Sequence, residues 1–111
     1  MAWELRYYLD SRGGSPVDEF IERLPEENRA LVRSGIGFLG EIGNRAREPL
    51  SKSLGEGLFE LRVRACRIFY CFKPGRTVVL LHAFSKKTQK TPKGEILPTM
   101  LTISRSWLRI G

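Results

Sequence analysis

The sequence predicts an α+β fold, with two N-terminal helices packed on a small, mainly antiparallel twisted sheet and a short C-terminal helix after it. Three observations carry that expectation. Apolar residues recur at helical spacing between Val17 and Ile42, alternate at strand spacing between Leu58 and Phe84, and return to helical spacing between Ile96 and Ile110. With 111 residues, 41% of them hydrophobic, the chain suits one domain spanning residues 1–111.

Trp3-Glu4-Leu5-Arg6-Tyr7-Tyr8-Leu9 alternates as a strand does, and Asp10-Ser11-Arg12-Gly13-Gly14 closes it with turn formers. A helix follows. Ser15 is a good N-cap, Pro16 suits the first helical position, and Asp18 and Glu19 favour the positive helix end. Val17, Phe20, Ile21 and Leu24 form its apolar stripe, and Pro25 ends it. The second helix is expected over Glu26 to Ile42, with Leu31, Gly35, Phe38, Leu39 and Ile42 on one side and Gly43 as C-cap. Gly35, Gly37 and Gly40 each cost about 1 kcal/mol against Ala in a helix interior, so packing has to compensate. Asn44 to Gly57 reads as a long loop.

From Leu58 the period is that of strands: Phe59 to Val63, Arg67 to Lys73 and Arg76 to Phe84, joined by turns at Arg64-Ala65 and Pro74-Gly75. If both turns are tight hairpins, Arg62 opposes Arg67, and Arg67 opposes His82 on the next strand. One face then collects Phe59, Leu61, Val63, Cys66, Ile68, Tyr70, Phe72, Val79 and Leu81 as core. The other collects Glu60, Arg62, Arg67, His82, Phe84 and Lys86. Like charges directly opposite repel unless an anion or a carboxylate lies between them, so Arg62 beside Arg67 calls either for a phosphate or for Glu60. Pro-Gly suits a type II turn better than a primed one, and a one-residue slip would exchange the faces.

Charge is segregated along the chain. Residues 1–51 hold seven Arg against nine Asp and Glu, whereas residues 52–111 hold twelve Lys and Arg against Glu56, Glu60 and Glu95. A net charge of +7 concentrated in this way points to a polyanion, with nucleic acid the favoured partner. Ser85 to Lys93 adds Lys86, Lys87, Lys90 and Lys93, with Thr88 and Thr91 as further phosphate donors. Phe84 can stack on a base or cap the core edge. Lys52 and Arg64 are phosphate-contact candidates. Cys66, Cys71 and the single His82 cannot supply four zinc ligands, so no structural metal is expected, and the glycine patterns lack a nucleotide-binding spacing, so no cofactor is expected. No apolar run nears the ~20 residues of a membrane span, and the expected location is the cytoplasm.

Leu50-Ser51-Lys52-Ser53-Leu54-Gly55-Glu56-Gly57-Leu58-Phe59-Glu60-Leu61-Arg62, then Arg67-Ile68-Phe69-Tyr70, then Leu80 to Pro92 with Lys86-Lys87-Thr88-Gln89-Lys90-Thr91-Pro92, resemble the phage-derived, HigB-like branch of the RelE/ParE toxin superfamily. The resemblance covers essentially the whole chain. It implies the toxin of a type II toxin–antitoxin system, a ribosome-dependent endoribonuclease cleaving messenger RNA through 2′-hydroxyl attack and neutralised by a helix-turn-helix antitoxin. It also implies that Arg67 stabilises the phosphorane beside Arg62. Lys86 or Lys87 would be the second charge stabiliser or proton donor; strand parity prefers Lys86, and the family's spacing prefers Lys87. His82 is the conventional acid/base candidate, and Lys52, Arg64, Phe84, Thr88, Lys90 and Lys93 would contact RNA. The tail after Glu95 departs from the family's charged helix, and no tyrosine or histidine follows His82. Two further readings stay open: a gyrase-poisoning toxin of the same superfamily, and a non-catalytic module that binds RNA or an antitoxin.

Overall fold

The computed structural model describes residues 2–86, together with Gly94 and Thr99. The order of elements is β1 (Glu4–Tyr7), α1 (Pro16–Glu22), α2 (Glu26–Ile42), a 3-10 turn (Gly43–Arg45), β2 (Ser51–Gly55), β3 (Leu58–Val63), β4 (Cys66–Lys73) and β5 (Thr77–Ser85). The five strands form one sheet in the order β1-β5-β4-β3-β2. β1 runs parallel to β5, and every other pair is antiparallel. The expected short C-terminal helix lies outside the described residues, as does Trp107.

Local chemistry explains the helix boundaries. Ser15 Oγ accepts the Asp18 N–H at 3.1 Å, and Pro16 occupies the first turn. Such a cap contributes about 1 kcal/mol. α2 begins after Pro25 and ends at Gly43, whose φ of 54° lets the chain leave the helix axis. The stripe that α2 buries differs from the expected one. Val32, Ile36, Leu39 and Gly40 are buried, whereas Leu31 is 37% and Phe38 54% exposed. The rotation follows from close approach to the sheet. A Cβ on Gly35 would lie 2.8 Å from Val63, and one on Gly40 would lie 3.0 Å from Leu5. Those glycines set how near the helix can come, and the packing gained offsets their helix cost.

The segment expected as a loop, Asn44 to Gly57, contains β2, which pairs with β3 through Ser51↔Leu61 and Lys52↔Glu60. Its polar, Gly- and Pro-flanked sequence is that of an edge strand, which hides the period-two signal. β3 and β4 pair with Arg62↔Arg67 and Leu61↔Ile68, the expected register.

The next hairpin departs from expectation. Lys73 pairs with Thr77, so three residues turn the chain, with Gly75 at φ 86° and Arg76 at φ 56°. That turn alone would set Arg67 against Ala83, but one further residue is inserted in β5, so Arg67 opposes Phe84 and His82 opposes Phe69. Between Phe69↔His82 and Tyr70↔Leu80 the ladder shifts, leaving Leu81 as an extra residue in β5.

The three-residue turn sets the parity of the first half of β5 against expectation, and the bulge reverses it for the second half. Val78, Leu80 and Ala83 join Leu61, Ile68 and Tyr70 in the core beneath α1 and α2. Val79 and Leu81, expected in that core, lie instead on the second face with Leu58, Phe69 and Cys71. The ring contacts of His82 with Phe69 and Phe84 put it on the second face as well. A strictly alternating strand could not hold Val79, His82 and Phe84 on one side.

Candidate nucleic-acid interface

The tight β3–β4 turn, with Arg64 at φ 55°, brings Arg62 and Arg67 side by side on the second face. Their partners differ. Arg62 Nε donates to Glu60 Oε2 at 3.1 Å, and its Nη1 lies 3.7 Å from Glu48 Oε1. The Arg62 side chain is 25% exposed and Glu60 is wholly buried. The repulsion between the facing arginines is therefore relieved by a carboxylate, one of the two arrangements open to the sequence.

Arg67 is held by carbonyls instead. Its Nη1 donates to Arg64 O at 2.6 Å and to Cys66 O at 2.9 Å, which fixes the guanidinium against the turn. Among the described residues it has no carboxylate partner, and its buried Nε–H has no hydrogen-bond acceptor. A buried, unsatisfied donor on a cation favours an incoming anion.

Lys86 leaves β5 next to this pair, where its backbone N–H donates to Ala65 O at 2.7 Å and ties the strand end to the hairpin turn. Its ammonium pKa lies below the ordinary lysine value because of desolvation first and the Arg67 charge second. Arg62 and Lys52 push the same way, and Glu60 opposes them. Arg62, Arg67, Lys86 and Lys52 thus share one electrostatic field around a buried carboxylate. Lys52 is exposed and sits directly across from Glu60.

An aromatic strip borders the cations. Phe84 opposes Arg67, with its ring 5.3 Å edge-on to Phe69 and 6.0 Å from His82, stacked at 24°. Phe84 and His82 are both partly exposed. Tyr70 lies on the other side, its hydroxyl hydrogen-bonded to Ser51 Oγ and its pKa raised chiefly by burial.

Arg64 does not join the group. Its Nη2 lies 3.5 Å from Glu27 Oε1 at the start of α2, on the helix side of the sheet. Lys87, Thr88, Lys90 and Lys93 lie outside the described residues. Glu48 escaped the sequence reading altogether, since only the pairing of β2 with β3 brings it to Arg62. Glu60 was legible, being two residues from Arg62 on one strand face.

The sequence profile of the family described as phage-derived protein Gp49-like matches residues 19–98. Two solved structures share the fold. One is the toxin–antitoxin complex RelBE2 from Mycobacterium tuberculosis, at 22% identity and a TM-score of 0.57, covering 78% of this chain and 100% of that one. The other is a mutant of the E. coli toxin RelE with two arginines replaced by alanine, in the free state, at 16% identity and a TM-score of 0.60, covering 93% of this chain and 98% of that one. No curated protein sequence gives a significant match.

Proposed function

The chain belongs to the phage-derived Gp49-like family, and from that membership, the RelE-like fold and the cationic second face we propose that it is the toxin of a toxin–antitoxin pair, an endoribonuclease that cuts messenger RNA on the ribosome. One observation supports this reading above the others: Arg67 is the guanidinium of the cluster that has no carboxylate among the described residues, and its buried Nε–H has no acceptor there. Arg62, by contrast, is neutralised by Glu60 and Glu48.

Cutting RNA through its own 2′-hydroxyl requires removal of that proton, stabilisation of a phosphorane that gains negative charge, and protonation of the departing 5′-oxygen. Arg67 stabilises the phosphorane, because a guanidinium held by two backbone carbonyls loses little freedom when it meets two phosphate oxygens. Lys86 protonates the leaving oxygen; a depressed pKa makes an ammonium a better acid, and the direction of its shift is the required one. His82 and Lys87 are the candidates for taking the 2′-hydroxyl proton. Phe84, across from Arg67, stacks on a base flanking the scissile phosphate. Lys52 contacts the RNA backbone, and Arg62 shapes the field rather than touching the reacting phosphate. The partner that restrains the protein is an antitoxin, as in the RelBE2 complex.

Induction in growing cells tests the reading. The expected result is growth arrest with new messenger 5′ ends, relieved by Arg67→Ala while the variant keeps its circular dichroism and its antitoxin binding. Arrest with DNA damage and intact messages would select the gyrase reading. RNA binding that weakens with salt, without cleavage on translating ribosomes, would select a binding module.

A further inference from the structure

A hollow of about 430 Å³ opens beside β2 and is lined by Asn44, Arg47, Glu48, Lys52, Ser53 and Phe59. Its size falls in the range of small-molecule sites, about 300–1,000 Å³. The floor is aromatic and fixed. Phe59 stacks on Tyr70 at 5.5 Å and 21° and meets the edge of Phe72 at 5.2 Å, so its ring is held while its outer side stays partly exposed.

The rim is cationic and ordered. Arg47 Nη1 donates to Asn44 O at 2.8 Å and to Ala46 O at 2.9 Å, so the 3-10 turn holds this guanidinium much as the hairpin turn holds Arg67. Arg47 lines the hollow together with Phe59, so the guanidinium is anchored at the rim above the aromatic floor. Ser53 Oγ accepts from Gly55 N–H at 3.3 Å, leaving its own proton to donate. Glu48 is the carboxylate of the lining, and it is turned to Arg62.

Phe59, stacked on Tyr70, lies on the helix side of the sheet, so the hollow sits around the β2 edge from the cationic face. Lys52 lines the hollow and also faces Glu60 across the β2–β3 ladder, and Glu48 bridges from the hollow to Arg62. A flat apolar floor, a fixed guanidinium and a lysine at the rim match a ligand with one planar ring and one phosphate.

We propose that this hollow is a nucleotide subsite for single-stranded RNA, taking a nucleotide beyond the scissile phosphate with its base on Phe59 and its phosphate on Arg47 and Lys52. The subsite rests on the ribonuclease reading and extends it, because it gives the chain a contact away from the reacting bond. Base-on-aromatic stacking is sequence-tolerant, so the subsite fixes the register of the RNA more than its sequence.

The test uses end-labelled 2′-O-methyl RNAs of two to eight nucleotides, which cannot cleave themselves, with binding read by fluorescence anisotropy at fixed low salt. Affinity is expected to step up by about tenfold or more at the length that reaches the hollow. An abasic unit at that nucleotide should remove the step. So should Arg47→Ala, and so should Ser53→Trp, which fills the hollow at an exposed strand position where an aromatic is tolerated. Arg67→Ala should weaken RNAs of every length and leave the step in place. RNA that binds with one identical length series in the wild type, Arg47→Ala and Ser53→Trp overturns the subsite and leaves the ribonuclease reading standing. Failure of the wild type to bind any of these RNAs also overturns the subsite, whereas the ribonuclease reading is overturned only by intact messages after induction.

Discussion

Replacing Glu60 by Gln separates the electrostatic frame of the cationic face from the groups that would touch RNA. Glu60 is fully buried, faces Phe69 and Lys52 on its two neighbouring strands, and accepts the Arg62 Nε–H at 3.1 Å. Glutamine keeps the shape and one acceptor oxygen but removes the charge. Arg62 then keeps Glu48, 3.7 Å away with a side chain 65% exposed, a weak pairing in water. Removing one partner of a wholly buried ion pair costs about 3–5 kcal/mol. Arg62 retains a path to solvent and the amide oxygen can still accept, so the expected cost is nearer that of a charged hydrogen bond, about 2 kcal/mol. At about 4 °C per kcal/mol for a domain of this size, the Tm should fall by about 8 °C. The same change removes the charge that holds the Lys86 pKa up against burial and Arg67, so the Lys86 titration should move further below the ordinary lysine value. Thermal unfolding by circular dichroism at neutral pH reads the first effect, and NMR titration of the Lys86 ammonium reads the second. An unchanged Tm together with an unchanged Lys86 titration would refute the role given to Glu60.

Lys86→Met should lower RNA cleavage by about 100-fold and abolish an alkaline limb of the pH–rate profile that, in the wild type, falls below the ordinary lysine value of 10.5; a variant that retains the limb would show that another group donates the proton. Gly43→Ala combines a positive φ with a Cβ driven into the Trp3 ring, which also lies 5.3 Å from Phe72 and 4.8 Å from the Arg76 guanidinium, so a loss of about 2–4 kcal/mol and a shifted tryptophan emission are expected in denaturant unfolding. Burial raises the Cys66 thiol above 9.0 and the Tyr70 phenol above 10.0, so on alkaline titration the unfolded chain releases these protons before the folded one does. Their contribution is whole below pH 9.0 and is lost as pH rises through the folded values; urea midpoints should fall above pH 9.0, and Cys66→Ala should flatten the first part of that fall.

What the chain writes locally could be read without a structure. Ser15, Pro16 and Gly43 bound their helices through contacts within a turn or two, the α2 limits follow from Pro25 and Gly43, and the Arg64-Ala65 turn alone sets the register that pairs Arg62 with Arg67. The basic character of the second half is a matter of counting. The tertiary structure decided the rest, because it depends on groups far apart in the chain. The rotation of α2 follows from Val63 and Leu5 against Gly35 and Gly40, and the bulge at Leu81 lies in β5, the strand that pairs with β4 on one side and β1 on the other. The bulge brings His82 and Phe84 to the same face as Val79 and Leu81, which no alternating pattern could reveal. Arg62 and Arg67 look alike in sequence. Only the fold distinguishes them, because a guanidinium's character is set by the oxygens around it: Glu60 and Glu48 for one, two turn carbonyls for the other.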